Sequence, residues 1–404
     1  MTHDIPHLPL HRDPRSDPAP LEQALARIEA ELGPDHEDVG VILNDLGDAY
    51  QNLERHGEAE RAYSRAIGIL ERASGPGHPD VANVLNNLVS IHQLRGEYAE
   101  AESLSRRALE ATEDILGHAP GSERADLDAE TADAVETIRR RALDGLGQAL
   151  RAQGRYPEAE PFLRQALELA TAAPGQDPFE VALASNSLGM FYKYWGKYDL
   201  AQPLYLRARA ILEAGSGRDT LEYSAVLYNI AGLGHARGEH AEVEPTCREA
   251  LAIKMRLLGE DHHETAVNRM TLGAILEGQG KYAEAAGLYE ESRATFERLF
   301  GPWHPDVAVT LNNLGSVRRA EGDLAEAERL FRRSLEVREK ALGPEHPALG
   351  TTLNNLGEVL AARGRREEAE ALYRRGLALV ERSLGADHPT TRCIGENLEG
   401  LLGK

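Results

Sequence analysis

Cysteine is almost missing from this chain: its 404 residues include two, Cys247 and Cys393, far apart. Such a pair sets no disulfide framework and points to a reducing cytoplasm. Aromatic residues make up only 5%, while Ala, Leu, Glu and Arg dominate, which is a helical composition. No run approaches the roughly 18 apolar residues that a membrane-spanning helix needs. Residues 1–20 lack the apolar core of a signal peptide and are rich in Pro, His and Asp; a disordered tail is expected over 1–18. Positive charge is in deficit, with 45 Lys and Arg against 66 Asp and Glu and a formal charge of −21. Phosphate backbones need a basic surface, so nucleic acid is excluded as the main partner.

What the chain has in abundance is itself. Thr352-Leu353-Asn354-Asn355-Leu356-Gly357 nearly copies Thr310-Leu311-Asn312-Asn313-Leu314-Gly315, and Leu85-Asn86-Asn87-Leu88 is a third version. The anchor of this block stands at Leu46, Leu88, Leu146, Leu188, Ile230, Leu272, Leu314, Leu356 and Leu398. Every step is 42 residues except one of 58, from Leu88 to Leu146. Eight residues past the anchor comes a glycine (Gly96, Gly154, Gly196, Gly238, Gly280, Gly322, Gly364), except in the first unit, which has Glu54. Apolar residues recur at helical spacing before that glycine, as in Val307, Leu311, Leu314 and Val317, and again after it, as in Leu324, Ala327, Leu330 and Phe331. Each unit therefore reads as helix, tight turn, helix, and a fixed period of this kind predicts an array.

The links are equally regular, as in Gly301-Pro302-Trp303-His304-Pro305-Asp306 and Gly75-Pro76-Gly77-His78-Pro79-Asp80. Glycine ends one helix, and the second proline suits the first position of the next. Small residues follow the anchor (Gly47, Gly147, Gly189, Gly273, Gly315, Gly357), where they let helices approach closely. Tyr63, Tyr205, Tyr289, Phe331 and Tyr373 supply bulk at one recurring core position.

Signals of chemistry are weak. His36, His78, His262, His304, His346 and His388 form a ladder with one rung per repeat. Packed helix axes lie about 8–10 Å apart, whereas zinc–nitrogen bonds are about 2 Å, so these rings cannot share one ion. Asp261-His262-His263-Glu264 is the same link with a second histidine, and it lacks helical metal-ligand spacing. Cys247 falls at the bulky core position and reads as a buried small hydrophobe. No phosphate loop, serine elbow or singled-out acid pair is present, so no catalytic residue, metal or cofactor is expected.

The glycine at the turn, the tyrosine two residues later (Tyr98, Tyr156, Tyr198, Tyr282) and the alanine three further on resemble the tetratricopeptide repeat. The 42-residue period, the Leu-Asn-Asn-Leu box and the Leu-Gly-Pro-x-His-Pro link resemble the subtype found in kinesin light chains, without their motor-binding heptads. The resemblance implies an all-α, right-handed superhelical solenoid whose first helices line a concave groove. On that pattern residues 19–404 form the solenoid: a capping helix over 19–33, eight repeats over about 38–384, and a closing helix over 389–402. An insertion falls at about 117–141. It reads as a loop from Gly117 to Ala125 followed by a first helix longer than its siblings, projecting from the array, with a longer loop as the alternative.

By the same analogy the groove takes one row two residues before the anchor, including Asn44, Asn86, Asn186, Tyr228, Asn312 and Asn354. A second row lies five and six residues after it, including Arg151, Lys193, Tyr194 and His235. Asparagine offers a donor and an acceptor to an extended backbone, and it equally well bridges neighbouring helices. The middle of the groove is basic and aromatic, which suits a protein or peptide segment carrying acidic and aromatic residues. The expected function is a non-catalytic, cytoplasmic binding scaffold with neither membrane nor nucleic acid as partner. A receptor for a small peptide or metabolite, and an enzyme with an unusual site near repeats three to five, are the alternatives.

Overall fold

The structure is a computed structural model that describes residues 17–53, 55–117, 128–172, 177–215, 217–386 and 388–403. Nearly all of the expected tail and loop, and Glu54, lie outside the described residues. The described residues form eighteen α-helices and no strand. Contacts divide the chain into two compact units, residues 5–226 and 227–404. The first contains α1 (Ala19–Leu32), α2 (Glu37–Asn52), α3 (His56–Ser74), α4 (Pro79–Leu94), α5 (Tyr98–Ile115), α6 (Ala129–Ala152), α7 (Tyr156–Ala172), α8 (Pro178–Tyr194) and α9 (Tyr198–Ala214). The division falls within α10 (Leu221–Arg237). The second unit then holds α11 (His240–Leu258), α12 (His263–Gly278), α13 (Tyr282–Phe300), α14 (Pro305–Ala320), α15 (Leu324–Leu342), α16 (Leu349–Ala362), α17 (Arg366–Leu384) and α18 (Pro389–Leu402).

Each unit is a row of antiparallel hairpins. In the first, α2 packs on α3, α4 on α5, α6 on α7 and α8 on α9, while α2, α4, α6 and α8 also touch in sequence. In the second, α12, α14, α16 and α18 repeat that arrangement. The hairpin turn needs a residue in the left-handed region, and Gly322 supplies it with φ 86°. The glycine after the anchor answers to packing instead. A Cβ on Gly47 would lie 2.4 Å from the Tyr63 ring, and one on Gly315 would lie 2.7 Å from Phe331. The bulky core residue thus sits on the bare backbone of the first helix in the hairpins that carry this glycine. Tyr63, Tyr205, Tyr289 and Phe331 are all at 0% exposure. Cys247 is buried at the same position, which pushes its thiol up to about 12.

The histidine ladder is a row of helix caps. The Nδ1 atoms of His36, His78 and His304 each accept the backbone N–H two residues on, at 3.3 Å, and those of His262 and His388 do so at 3.2 Å. An unprotonated ring nitrogen here does the work usually given to Ser or Asp. His78→Ala should cost about 1 kcal/mol and His78→Asn much less, measured by urea unfolding. His263, the second histidine of its link, makes different contacts. Its Nε2 lies 3.1 Å from Asp306, and its ring packs between Phe296 and Phe300.

The helix after the insertion has 24 residues, against 16 in α4, and it starts where the Asp128 side chain accepts the N–H of Thr131 at 2.7 Å. In its extra turns Val135 is buried, while Thr131, Asp133 and Ala134 are exposed. Val135, Arg139 and Arg140 are 1%, 6% and 7% exposed. Arg140 pairs with Glu180 on α8, and Arg139 with Glu136 at 3.2 Å.

Second helices carry much of the acidic surface, tied to arginine and lysine. Glu244 accepts from Lys281 at 2.6 Å and Gln279 at 2.9 Å and pairs with Arg248 at 2.8 Å, which holds its carboxyl down at about 2. Because the folded value is depressed, the stabilisation is present above the unfolded value of about 4.3 and is lost as pH falls towards 2. Solvent screening limits it to about 1 kcal/mol. Glu244→Gln should therefore lower the urea midpoint near neutrality and leave it unchanged near about pH 2.

Candidate functional site: the first-helix face

The doubled asparagine of the repeat joins one first helix to the next. Asn87 Nδ2 donates to Asn44 Oδ1 at 3.0 Å, Asn355 to Asn312 at 3.2 Å, and Asn397 to Asn354 at 2.9 Å. Each pair is 43 residues apart, one repeat plus one position. Asn86 donates to the Ile138 carbonyl at 2.9 Å, and Asn354 to Glu358 at 2.8 Å. Asn86, Asn186, Asn312 and Asn354 are 6%, 2%, 9% and 6% exposed. Burial and these internal bonds make the row chiefly a seam between repeats. Asn44, Asn86, Asn312 and Asn354 thus all make amide hydrogen bonds within the array. Tyr228 is also buried; its hydroxyl accepts from Thr271 at 3.3 Å, and Lys254 Nζ lies 5.4 Å from its ring.

The second row is more accessible and more varied. In the first unit the Arg151 guanidinium lies 4.4 Å from the centre of the Tyr194 ring, and Lys193 Nζ lies 5.4 Å from it. Lys193 and Tyr194 are half-buried, and Arg151 is buried with its Nε donating to Gln148 at 2.9 Å. Tyr156 stacks on Trp195 with ring centres 5.9 Å apart, so Trp195 covers the turn beside this cluster. In the second unit His235 is half-buried against His240, ring centres 5.0 Å apart. Arg319, at the position matching Lys193, pairs with Glu358.

A polar network joins α2, α4 and α6. Arg141 donates to Asn83 at 3.0 Å and to Asn87 at 2.7 Å. Asn87 and Tyr63 both donate to Asp48, at 3.1 and 2.5 Å. Burial holds Asp48 above the usual carboxylate range, against the pull of Tyr63 and Arg141. Sequence reasoning missed this network because Arg141, five residues before its anchor Leu146, carries a charge where its repeat-mates hold residues such as Val41, Asn83, Ala225 and Thr351.

Two clefts lie on the other side of the hairpins. One, about 630 Å³, is apolar and lined by Leu167, Tyr192, Leu200, Pro203 and Leu204. The other, about 520 Å³, is charged and lined by Arg293, Arg329, Arg333, Glu290 and Glu336. Neither is lined by Arg141, Asp144, Arg151, Lys193 or His235, the polar residues of repeats three to five. Among the described residues no group of three metal-binding side chains converges, and no helix is long and apolar enough to cross a membrane.

Antiparallel helical hairpins in tandem, most of them seated on a glycine of the first helix, define a helical-repeat protein. The sequence matches the tetratricopeptide repeat family over residues 21–114, 139–214, 222–298 and 306–394, and the chain belongs to that family. No curated protein matches it in sequence. Among solved structures, a Rap protein complexed with competence and sporulation factor is similar at 14% identity and a TM-score of 0.56, over 91% of this chain and 98% of that one. NprR in complex with its cognate peptide NprX is similar at 16% identity and 0.50, over 77% and 83%. The putative kinesin light chain repeats of Podosopora anserina reach 22% identity and 0.44, over 52% and 99%. The similarities to Rap and NprR show the shared fold.

Proposed function

We propose that this protein is a non-catalytic scaffold that captures a peptide or protein segment on its first-helix face. The observation that carries this reading is the Arg151–Lys193–Tyr194 cluster, a cationic and aromatic surface in a chain of charge −21. A segment with acidic and aromatic side chains complements it. The Asn seam supports the reading indirectly, since it fixes successive first helices side by side and so preorganises what they present. The peptide held by NprR, on a similar fold, supports a short segment as ligand and keeps open a receptor role in the cytoplasm. The buried thiol of Cys247 and the exposed Cys393 suit a reducing compartment. The expected domain limits, with helices over 19–33 and 389–402 closing the array, belong to this same proposal.

The test is site-directed photo-crosslinking in the native cell. A photoreactive residue at Lys193 or His235 should capture one defined partner, and one at Arg207 or Arg329 on the second helices should not. Equal labelling from both sets, or labelling from the second helices alone, would refute the first-helix face as the binding surface.

A further inference from the structure

On the outer side of the array one second helix departs from all the others. Two positions past its start, the second helix of every hairpin but one carries glutamate, from Glu58 and Glu158 to Glu326 and Glu368, whereas α9 carries Leu200. Six residues further on, five of the other seven carry arginine, as in Arg106, Arg164 and Arg248, and α9 carries Leu206. Neither leucine turns inward: they are 47% and 40% exposed. The other exposed large hydrophobics among the described residues stand at or beside a helix C-terminus, except Val41 on α2. Exposed Pro203 lies midway between the two leucines at helical spacing, so the crest of α9 is an apolar stripe.

Beside this stripe runs the apolar cleft of about 630 Å³, with α7 and α9 as its banks and Leu188 and Tyr192 of α8 in its lining. Elsewhere ion pairs bridge successive second helices. Arg107 reaches Glu71, and Arg375 reaches Glu339, both at 2.7 Å. At the very positions exchanged in α9, Arg248 of α11 pairs with Glu284 of α13, and Arg332 of α15 with Glu368 of α17. The equivalent bridge from α7 would join Arg164 to position 200, where leucine cannot accept it. Arg164 pairs with Glu160 on its own helix instead, at 3.3 Å. The exchange to leucine thus removes a bridge and leaves apolar surface in its place.

We propose that a second copy of the chain docks on this surface, as a two-fold dimer that lays the Leu200–Pro203–Leu206 stripe of each α9 into the α7–α9 cleft of the other. Stripe and cleft lie on one face, so the surface is its own complement, and a ridge beside a groove is what an isologous contact requires. The charged lining residues, Arg164, Glu168 and Arg207, carry both signs, so the cleft holds no single-sign field to select a strongly charged partner. Glu168 aligns with position 210, within one turn of Arg207, so a two-fold axis along the helices brings Arg207 of one copy alongside Glu168 of the other. The area is sufficient. Helices α7 and α9 have 17 residues each, so the pair is about 25 Å long and about 20 Å wide. That is about 500 Å² per copy and about 1,000 Å² in all, the lower bound for a specific interface. It suits a dimer that forms at micromolar concentration and separates on dilution. All of these residues belong to the first unit.

The test is sedimentation velocity on the full chain over a dilution series, where a reversible shift from the 44.2 kDa monomer to twice that mass is expected. Leu200→Glu and Leu206→Arg restore what the other hairpins carry. Each should raise the dissociation constant at least about tenfold while leaving the helix content by circular dichroism unchanged. Leu299→Ser, a loss of exposed apolar surface on α13, should leave the dimer as it was. Arg207→Glu should weaken it, and adding Glu168→Arg should recover at least half of that loss, because the exchanged charges meet again across the two copies. A photoreactive residue at Arg207 should capture a second copy, recognised by its mass, and not the segment captured from Lys193. A monomer at every concentration overturns the proposal, and so does a dimer that Leu200→Glu leaves intact. Capture of a different protein from Arg207 by a monomeric chain overturns it as well, and makes the cleft a site for another chain. The dimer and the first-helix reading are decided separately, since self-association without capture at Lys193, or capture without self-association, sinks one and leaves the other.

Discussion

Phe331→Ala is expected to lower stability by about 3–5 kcal/mol, the cost of emptying a fully buried aromatic site. The ring is at 0% exposure and rests directly on Gly315, so little can collapse into the space. Gly315→Ala should also destabilise, although alanine favours helix by about 1 kcal/mol, because overpacking a filled site costs about 1–3 kcal/mol. The new Cβ would meet the ring at 2.7 Å. The two positions are therefore coupled. Gly315→Ala combined with Phe331→Leu should lose less than the sum of the single losses by about 0.5 kcal/mol or more, read from a double-mutant cycle in urea. Strict additivity would mean that ring and backbone are not in the contact described. Because each hairpin touches only its neighbours, the damage should appear first as lost hydrogen-exchange protection in α14 and α15, with α2 and α3 little changed.

That pairing of a glycine with a ring 16 residues later was legible in the sequence, because both recur at one spacing and a repeat displays its own controls. Gly47 with Tyr63, Gly273 with Tyr289 and Gly315 with Phe331 say the same thing. Glycine at positive φ and proline at a helix start are local effects, and local effects survive in a one-dimensional reading. The asparagine row was only half legible. Its repetition marked it as important, but the offset of 43 residues that joins Asn44 to Asn87 is set by how one first helix slides along the next. No single repeat encodes that slide. The histidine ladder was seen, yet its capping role was not, since a ring nitrogen as cap acceptor is uncommon beside Ser or Asp. Arg141 was opaque for a different cause: its repeat-mates are residues such as Val41, Ala225 and Thr351, so its charge has no counterpart in the other units and its partners cannot be read from them. Leu200 was readable in principle. It stands where every other hairpin carries glutamate, and that exchange is visible once the repeats are aligned.

Arg141→Leu is expected to cost about 3 kcal/mol or more, as for other buried charged groups that lose one partner. The guanidinium forks between Asn83 and Asn87 and thereby ties α6 to α4. Its charge also lowers the cost of keeping Asp48 ionised, and Asp48 in turn receives Asn87 and Tyr63. Leucine would abandon two amide oxygens and leave that carboxylate uncompensated. Arg141→Lys should recover less than half of the loss, because one ammonium cannot reach two diverging acceptors with the geometry of a fork. Adding Asp48→Asn to Arg141→Leu should be less damaging than adding the two single losses, with a coupling of about 1 kcal/mol, because the neutral amide no longer needs the missing charge. The place where the array opens should be specific as well. The N-terminal turns of α6 are held by Val135, by Arg140 with Glu180 and by this fork, so Arg141→Leu should expose residues 129–140 to protease before any other helix is cut. Uniform resistance there in the folded variant would show that apolar packing alone carries the long helix.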